Sequence, residues 1–341
     1  MNHDLLTDLL ERRAEDVALR AGSLPAVRRR AARRRAHART AVGVAGVTVA
    51  GATFAAVRSL PDHNDRRVVA ADTTGVAAAS TTTISPLMQP LQRDMPVSDD
   101  VRDLQQRLTD LGFDPGPVDG LFGESTQQAV WAFEGLALGR TYTEQTGVVD
   151  NAVWQALHTA ITVQPRRTDD DDATHIEIYL DLQVAVVFTD DAPTLITHTS
   201  SGSGETWCEL LRYDTDDQGR MIDPPIEKDM CGVATTPGGV FKIYRRFDGN
   251  RATPLGGMFN PLYFNYGIAL YGAHNVPAQP VSHGGIRIPM FIAERLPSLV
   301  KNGTPVYVFD GITEPEDVSA KDRVPTFDYP NPDSTTTTTA S

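Results

Sequence analysis

"HIEIYLDLQVAVVF", His175–Phe188, decides the fold class. Its apolar residues recur at every second position: Ile176, Ile178 and Leu180, then, past a turn, Val184, Val186 and Phe188. That period belongs to strands, whose successive side chains point to opposite faces. Downstream, "TLITHTSSGSG" (194–204), "GVFKIYRRF" (239–247), "LYFNYGIALYG" (262–272) and "PVYVFDG" (305–311) supply further short strands. Only "MFIAERLPSLVKNG", Met290–Gly303, reads as a helix, with Phe291, Leu296, Leu299 and Val300 apolar. Many short strands with one late helix predict a β-sandwich over residues 175–312.

Upstream the period is helical. In "SDDVRDLQQRLTDLGF" Val101, Leu104, Leu108 and Leu111 recur on one face, and Ser98 or Asp99 can cap the start. "DPGPVDGLFG" then forces a break. A second helix, "ESTQQAVWAFEGLAL", turns Ala129, Val130 and Phe133 inward, and a third, "NAVWQALHTA", is capped by Asp150 and buries Val153 and Leu157. The chain is therefore read as multidomain α + β, with a small three-helix domain at 98–160 before the sandwich. "RRTDDDDAT", 166–174, reads as a solvated joint between the two.

The net charge of −13 hides a split: residues 1–39 hold ten Arg against five acids, and the rest holds 21 basic and 39 acidic residues. So acidic a bulk lacks the basic footprint that nucleic-acid binding needs. After the arginine-rich segment comes "TAVGVAGVTVAGATFAAV", Thr40–Val57, without a charge. As a helix it spans about 27 Å, just short of a hydrocarbon core. The arginines before it place the N-terminus inside and the acidic bulk outside. The expectation is a single-pass signal-anchor at 40–57 in the cell membrane, a cytoplasmic segment at 1–39 and extracytoplasmic folded domains; a cleaved secretory signal is the alternative. Leu5, Leu6, Leu9 and Leu10 share one side of a short helix near the start. Ser/Thr/Ala/Pro-rich stretches predict a flexible linker at 58–97 and a disordered tail at 313–341. The two cysteines, Cys208 and Cys231, either close a surface excursion as a disulfide or stay as buried thiols. Without CxxC or HxxxH spacing, no metal and no cofactor is expected.

Two resemblances follow. "LQQRLTDLGF", "GPVDGLFGESTQQAVWAFE" and "GVVDNAVWQAL" resemble the small peptidoglycan-binding domain of bacterial cell-wall proteins, with a longer insert, "GLALGRTYTEQTG", before the last helix. "TSSGSG", "TPGGVFKIYRR", "PLGGMFNPLYFNYGIALYG", "SHGGIRIP" and "LVKNGTPVYVF" resemble the L,D-transpeptidase (YkuD-like) catalytic domain. Peptidoglycan stem peptides are the implied partner. In that family a cysteine thiolate attacks a stem-peptide amide, a histidine takes the thiol proton, backbone N–H groups hold the oxyanion and a second amine resolves the thioester.

Its motif is a His-Gly or His-Ser pair at a strand end, then Ser-His-Gly-Cys-x-Arg or Asn. Here Ser282, His283, Gly284 and Arg287 fall on it, Gly285 stands at the nucleophile's place, and Tyr271-Gly272 stands where the basic histidine and its glycine belong. Glycine offers no attacking atom, and a phenol, which ordinarily ionises near pH ~10, is a poor base at neutral pH. Ser282 and His283 are adjacent and point apart in extended chain, so they form no couple. His274 can approach the base position but has nothing to activate. The resemblance leaves Gly272, His274, Ser282, His283, Gly284 and Arg287 either as a peptide pocket, with Arg287 meeting a carboxylate, or as fold elements only. The expectation is a wall-binding protein with an impaired site. Its alternatives are an active transpeptidase with a non-standard nucleophile and a structural anchor for a protein partner.

Overall fold

The computed structural model describes residues 84–159, 161–168, 174–215 and 220–329, all within one compact unit, Val68–Ser341. The basic segment with its leucine face, the apolar run 40–57, most of the linker, the acidic run from residue 169 to 173 and the tail from residue 330 lie outside the described residues. Among the described residues no helix is long and apolar enough to cross a membrane.

Three helices come first: α1 (Asp99–Asp110), α2 (Glu124–Leu138) and α3 (Asn151–Leu157). Ser98 Oγ accepts the Val101 N–H at 3.2 Å and Asp150 Oδ1 the Val153 N–H at 2.9 Å, so both caps satisfy orphan donors. The turn between α1 and α2 is organised by buried Gln105. Its Oε1 accepts the N–H groups of Asp119 (3.0 Å) and Gly120 (2.8 Å), and its Nε2 donates to Leu121 O (3.0 Å) and Thr126 Oγ1 (3.1 Å). The linker assignment needs correction at its end. Leu87 and Leu91 are buried in the helical core, Leu91 bridges Val149, and Trp154 Nε1–H donates to Ser85 O. Composition suggested flexibility; two well-spaced leucines decided otherwise.

The β domain stacks two sheets. One runs β3 (Ala192–His198), β2 (Val184–Thr189), β1 (Thr174–Tyr179), β12 (Pro305–Phe309), β6 (Gly239–Lys242). The other runs β11 (Ile286–Pro289), β10 (Ile268–Ala273), β9 (Gly256–Asn265), β7 (Arg245–Arg246), with β8 (Asn250–Thr253) also on β9. Between them Ile176, Ile178 and Val187 meet Leu262, Leu270 and Ile286, and α4 (Met290–Leu299) closes the core with Ile292 and Leu296. The excursion is a long hairpin, β4 (Thr206–Thr215) and β5 (Met221–Val233), whose strands are joined by a Cys208–Cys231 disulfide. The first part of the expected tail is ordered: Pro315–Asp317 forms a 3-10 turn and β13 (Thr326–Tyr329) pairs with β5.

At the described start of the expected joint, Arg166 and Thr168 are exposed and Arg167 is half-buried, and the two domains on either side of it are packed together. Val184, Val186, Phe188, Ile196 and Phe309, on the outer face of the first sheet, share one core with Leu104, Leu108, Phe113 and Phe133 of the helical domain. Separating the two would expose large apolar side chains at roughly 1.5–3 kcal/mol each. The insert before α3 contributes: Glu134, fully buried, accepts from Arg140 (2.5 Å), Thr146 N–H (2.9 Å) and Gly147 N–H (2.8 Å), while Gln145 Nε2 donates to Leu182 O (2.8 Å) in the β1–β2 turn. Buried Glu177 accepts the backbone N–H groups of Arg166 (3.1 Å) and Arg167 (2.7 Å) and the Tyr179 hydroxyl. Burial, reinforced by the Glu177 charge, pushes the Tyr179 phenol well up. Arg167 pairs with Glu316 and Glu314, which raises its guanidinium and lowers Glu316. Arg166 and Arg167, at the start of that charged stretch, are thus tied to the β domain.

Candidate active site

β10 delivers Tyr271 and Gly272, a loop over residues 274–281 follows, and "SHGG" leads into β11. β10 and β11 are parallel, with Tyr271 opposite Arg287. Alternation sends Leu270, Ile286 and Ile288 into the sandwich core and Ala269, Tyr271 and Arg287 to the outer face. Tyr271 and Gly285 therefore meet on that face.

They meet closely. A Cβ at Gly285 would lie 2.7 Å from Tyr271 Cε1, a separation that real Cβ atoms do not adopt. Gly285 is not among the positive-φ residues, so the ring rather than the backbone excludes a side chain there. Tyr271 belongs to a small buried cluster with Tyr263 and Ala269. Tyrosine at 271 and glycine at 285 are therefore coupled by packing.

The neighbouring motif residues are spent on structure. Ser282, buried, donates from Oγ to Gly285 O (2.5 Å) and accepts the Gly284 N–H (3.0 Å). Thr236 Oγ1 donates to Gly284 O (2.6 Å) and accepts the Gly202 N–H (2.9 Å). Gly284 sits at φ +126°, where an L side chain would be strained. Gly272 faces Ala293 of α4, whose Cβ would lie 2.7 Å from an added Cβ. His274 is exposed, with no pairing side chain among the described residues. His283 Nε2 is 3.1 Å from Glu209 Oε1, and its ring meets Trp207 edge-on at 5.1 Å. Arg287 is half-buried and, among the described residues, no acid pairs with it. The structure thus brings together Tyr271, Ser282, His283, Gly284, Gly285 and Arg287, and leaves His274 at the rim.

Two supports of the site escape a reading of the motif alone. The excursion hairpin, distant in sequence, brings Trp207 and Glu209 onto His283; the tryptophan beside Cys208 was the available signal. The helical domain holds the loop itself: Gln128 of α2 donates to Val276 O (3.3 Å), and His198 Nε2 is 3.0 Å from Pro277 O with Trp131 of α2 against its ring at 5.1 Å. Burial drops the His198 imidazole to about 4, so it is neutral at pH 7 and Nε2–H donates to the loop carbonyl.

A three-helix module packed on a β-sandwich whose Ser-His-Gly loop enters a parallel strand defines the class: a wall-type helical domain joined to a transpeptidase fold. Residues 97–157 match the family model for a peptidoglycan binding domain, and residues 173–308 match that for the L,D-transpeptidase catalytic domain, YkuD. An L,D-transpeptidase crystal structure from Xylanimonas cellulosilytica is 33% identical, covering 66% of this chain and 100% of that one with a TM-score of 0.54. The L,D-transpeptidase (Yku) of Stackebrandtia nassauensis is 16% identical, with 66% and 97% covered and a TM-score of 0.34. No curated protein matches the chain. The chain belongs to the L,D-transpeptidase family, with a peptidoglycan binding domain ahead of its catalytic domain.

Proposed function

We propose that this protein is a membrane-anchored, extracytoplasmic peptidoglycan-binding member of its family whose transpeptidase site is closed to acyl transfer. The observation that carries the reading is the Tyr271 ring against Gly285: the space from which a thiolate would project is occupied. Replacement by another nucleophile has no support in the geometry. The Ser282 hydroxyl closes its own turn, and His283 is engaged by Glu209. Export is supported by the disulfide, which persists in oxidising compartments. The arginine-rich segment ahead of Thr40–Val57 supports an anchor with the folded domains outside.

Intact-mass measurement after incubation with a carbapenem tests the closed site. No adduct is expected on the wild type; a covalent adduct on any pocket side chain refutes the proposal. Pull-down on purified sacculi tests wall binding, with retention expected.

A further inference from the structure

We infer that the outer edge of β4 is a self-association surface: two copies of this chain pair antiparallel along Thr206–Asp214, with Leu210 of one against Leu210 of the other. β4 is a terminal strand of its sheet, paired with β5 on one side and, among the described residues, with no strand on the other. It is 10 residues long, so its edge presents a row of backbone donors and acceptors over about 34 Å. Proteins ordinarily blunt such an edge by shortening it, covering it, or placing Pro, Lys or a bulge on it. Other edges of these sheets follow that rule. β7, β8 and β13 have 2, 4 and 4 residues. Phe113 bridges β3 at Ile196, Ser200 bridges β11 at Arg287, and the 3-10 turn lies against β6. β4 has no Pro, no Lys and no register shift before Tyr213. The Cys208–Cys231 disulfide and the pairing of β13 on the far side of β5 hold it as a preformed template.

The side chains say what the edge accepts. Alternation turns Trp207, Glu209 and Leu211 to one face, where Leu211 is buried and the other two meet His283. Leu210 points the other way and is 62% exposed in the middle of the strand. The charges of β4 are engaged within one copy, Glu209 by His283 and Arg212 by Asp214 and Glu227. A two-fold pair of edges is antiparallel and sets one residue opposite itself. Centring it on Glu209 or Arg212 opposes like charges, which is destabilising. Centring it on Leu211 calls on a side chain that is already buried, and centres nearer either end shorten the overlap. Centring it on Leu210 sets Glu209 against Leu211, Arg212 against Cys208 and Trp207 against Tyr213. No like charges then stand face to face, and each exposed leucine is covered by its own copy. The strand is thus complementary to itself in this register. The pairing does not depend on the wall-binding reading; together with it, two joined helical modules gain retention on a repeating polymer by avidity.

One strand pair is smaller than the ~1,200 Å² of standard interfaces, so the dimer is expected to be weak, with a Kd on the order of 10–100 µM. Sedimentation of the full-length chain in detergent micelles tests it, without sacculi, so its failure is separate from failure of the wall-binding reading. The wild type is expected to pass from monomer to dimer between about 1 and 300 µM. Leu210→Lys and Leu210→Glu change an exposed side chain, and each is expected to weaken the dimer about tenfold by opposing like charges. An equimolar mixture of the two is expected to regain it, because Lys then faces Glu. A wild type that stays monomeric to about 300 µM, as when a strand of another protein is the occupant, overturns the inference. So does an undiminished dimer in both variants with unchanged far-UV circular dichroism, which places the contact elsewhere in the chain. A mixture that associates no more tightly than either variant alone overturns the Leu210 pairing.

Discussion

Gly285→Cys restores the residue of the family motif and, by the packing described, should destabilise the protein rather than revive it. The new Cβ would sit 2.7 Å from Tyr271 Cε1, against a carbon–carbon optimum of ~3.5–4.0 Å. The ring must recede by about 1 Å within a cluster whose other buried members, Tyr263 and Ala269, are 2% and 0% exposed. Overpacking of this kind costs about 1–3 kcal/mol. It outweighs the ~0.4–1 kcal/mol gained by restricting a glycine in the unfolded chain. Urea unfolding in a double-mutant cycle isolates the effect. Gly285→Cys should cost its full amount in the wild type and in the Tyr271→Phe background, which keeps Cε1. It should cost little in the Tyr271→Ala background. Tyr271→His with Gly285→Cys should be better tolerated than Gly285→Cys alone, and is the only combination expected to form a carbapenem adduct. Equal costs in the tyrosine and alanine backgrounds would show that the ring does not close the site, and the reasoning would fail.

Three further outcomes follow from the geometry. His198 ionises at about 4 when folded against an ordinary 6.5, so the unfolded chain takes the proton first; stability present at neutral pH is lost as pH falls from about 6.5 to about 4, by about 3 kcal/mol. A urea series across that range should show this slope in the wild type and lose it in His198→Asn; parallel curves contradict the assignment. Gln105→Ala strands the Asp119 and Gly120 N–H groups and should lower stability by roughly 3 kcal/mol, read by chemical denaturation. Replacing Cys208 and Cys231 by serine should cost roughly 3 kcal/mol and loosen the hairpin that carries Trp207 and Glu209. Tryptophan quenching should then rise, and an unchanged signal would count against the disulfide's role in holding the hairpin.

Much of the fold was readable because it depends on local periodicity. Alternation at 176–188 announced the strand pair, and the caps at Ser98 and Asp150 follow from short polar side chains placed before apolar helical runs. The candidate site was readable as a pattern: "SHGG" and Tyr271-Gly272 stand out on residue identity alone. The anchoring of Arg166 and Arg167 was not readable, because a run of charged residues looks the same in one dimension whether or not its ends are tied down. Nothing local tells a reader that Glu177 and Phe309 lie beneath those arginines.

By itself, then, the sequence determined the family motif, with glycine at 285 and tyrosine at 271, and where strands replace helices. Tertiary structure alone decided that Tyr271 fills the space over Gly285 and that α2 holds the site loop through Gln128 and Trp131. The physical reason is range: hydrophobic period and capping are set within a few residues, whereas these contacts join residues from 14 apart, Tyr271 and Gly285, to 148 apart, Gln128 and Val276.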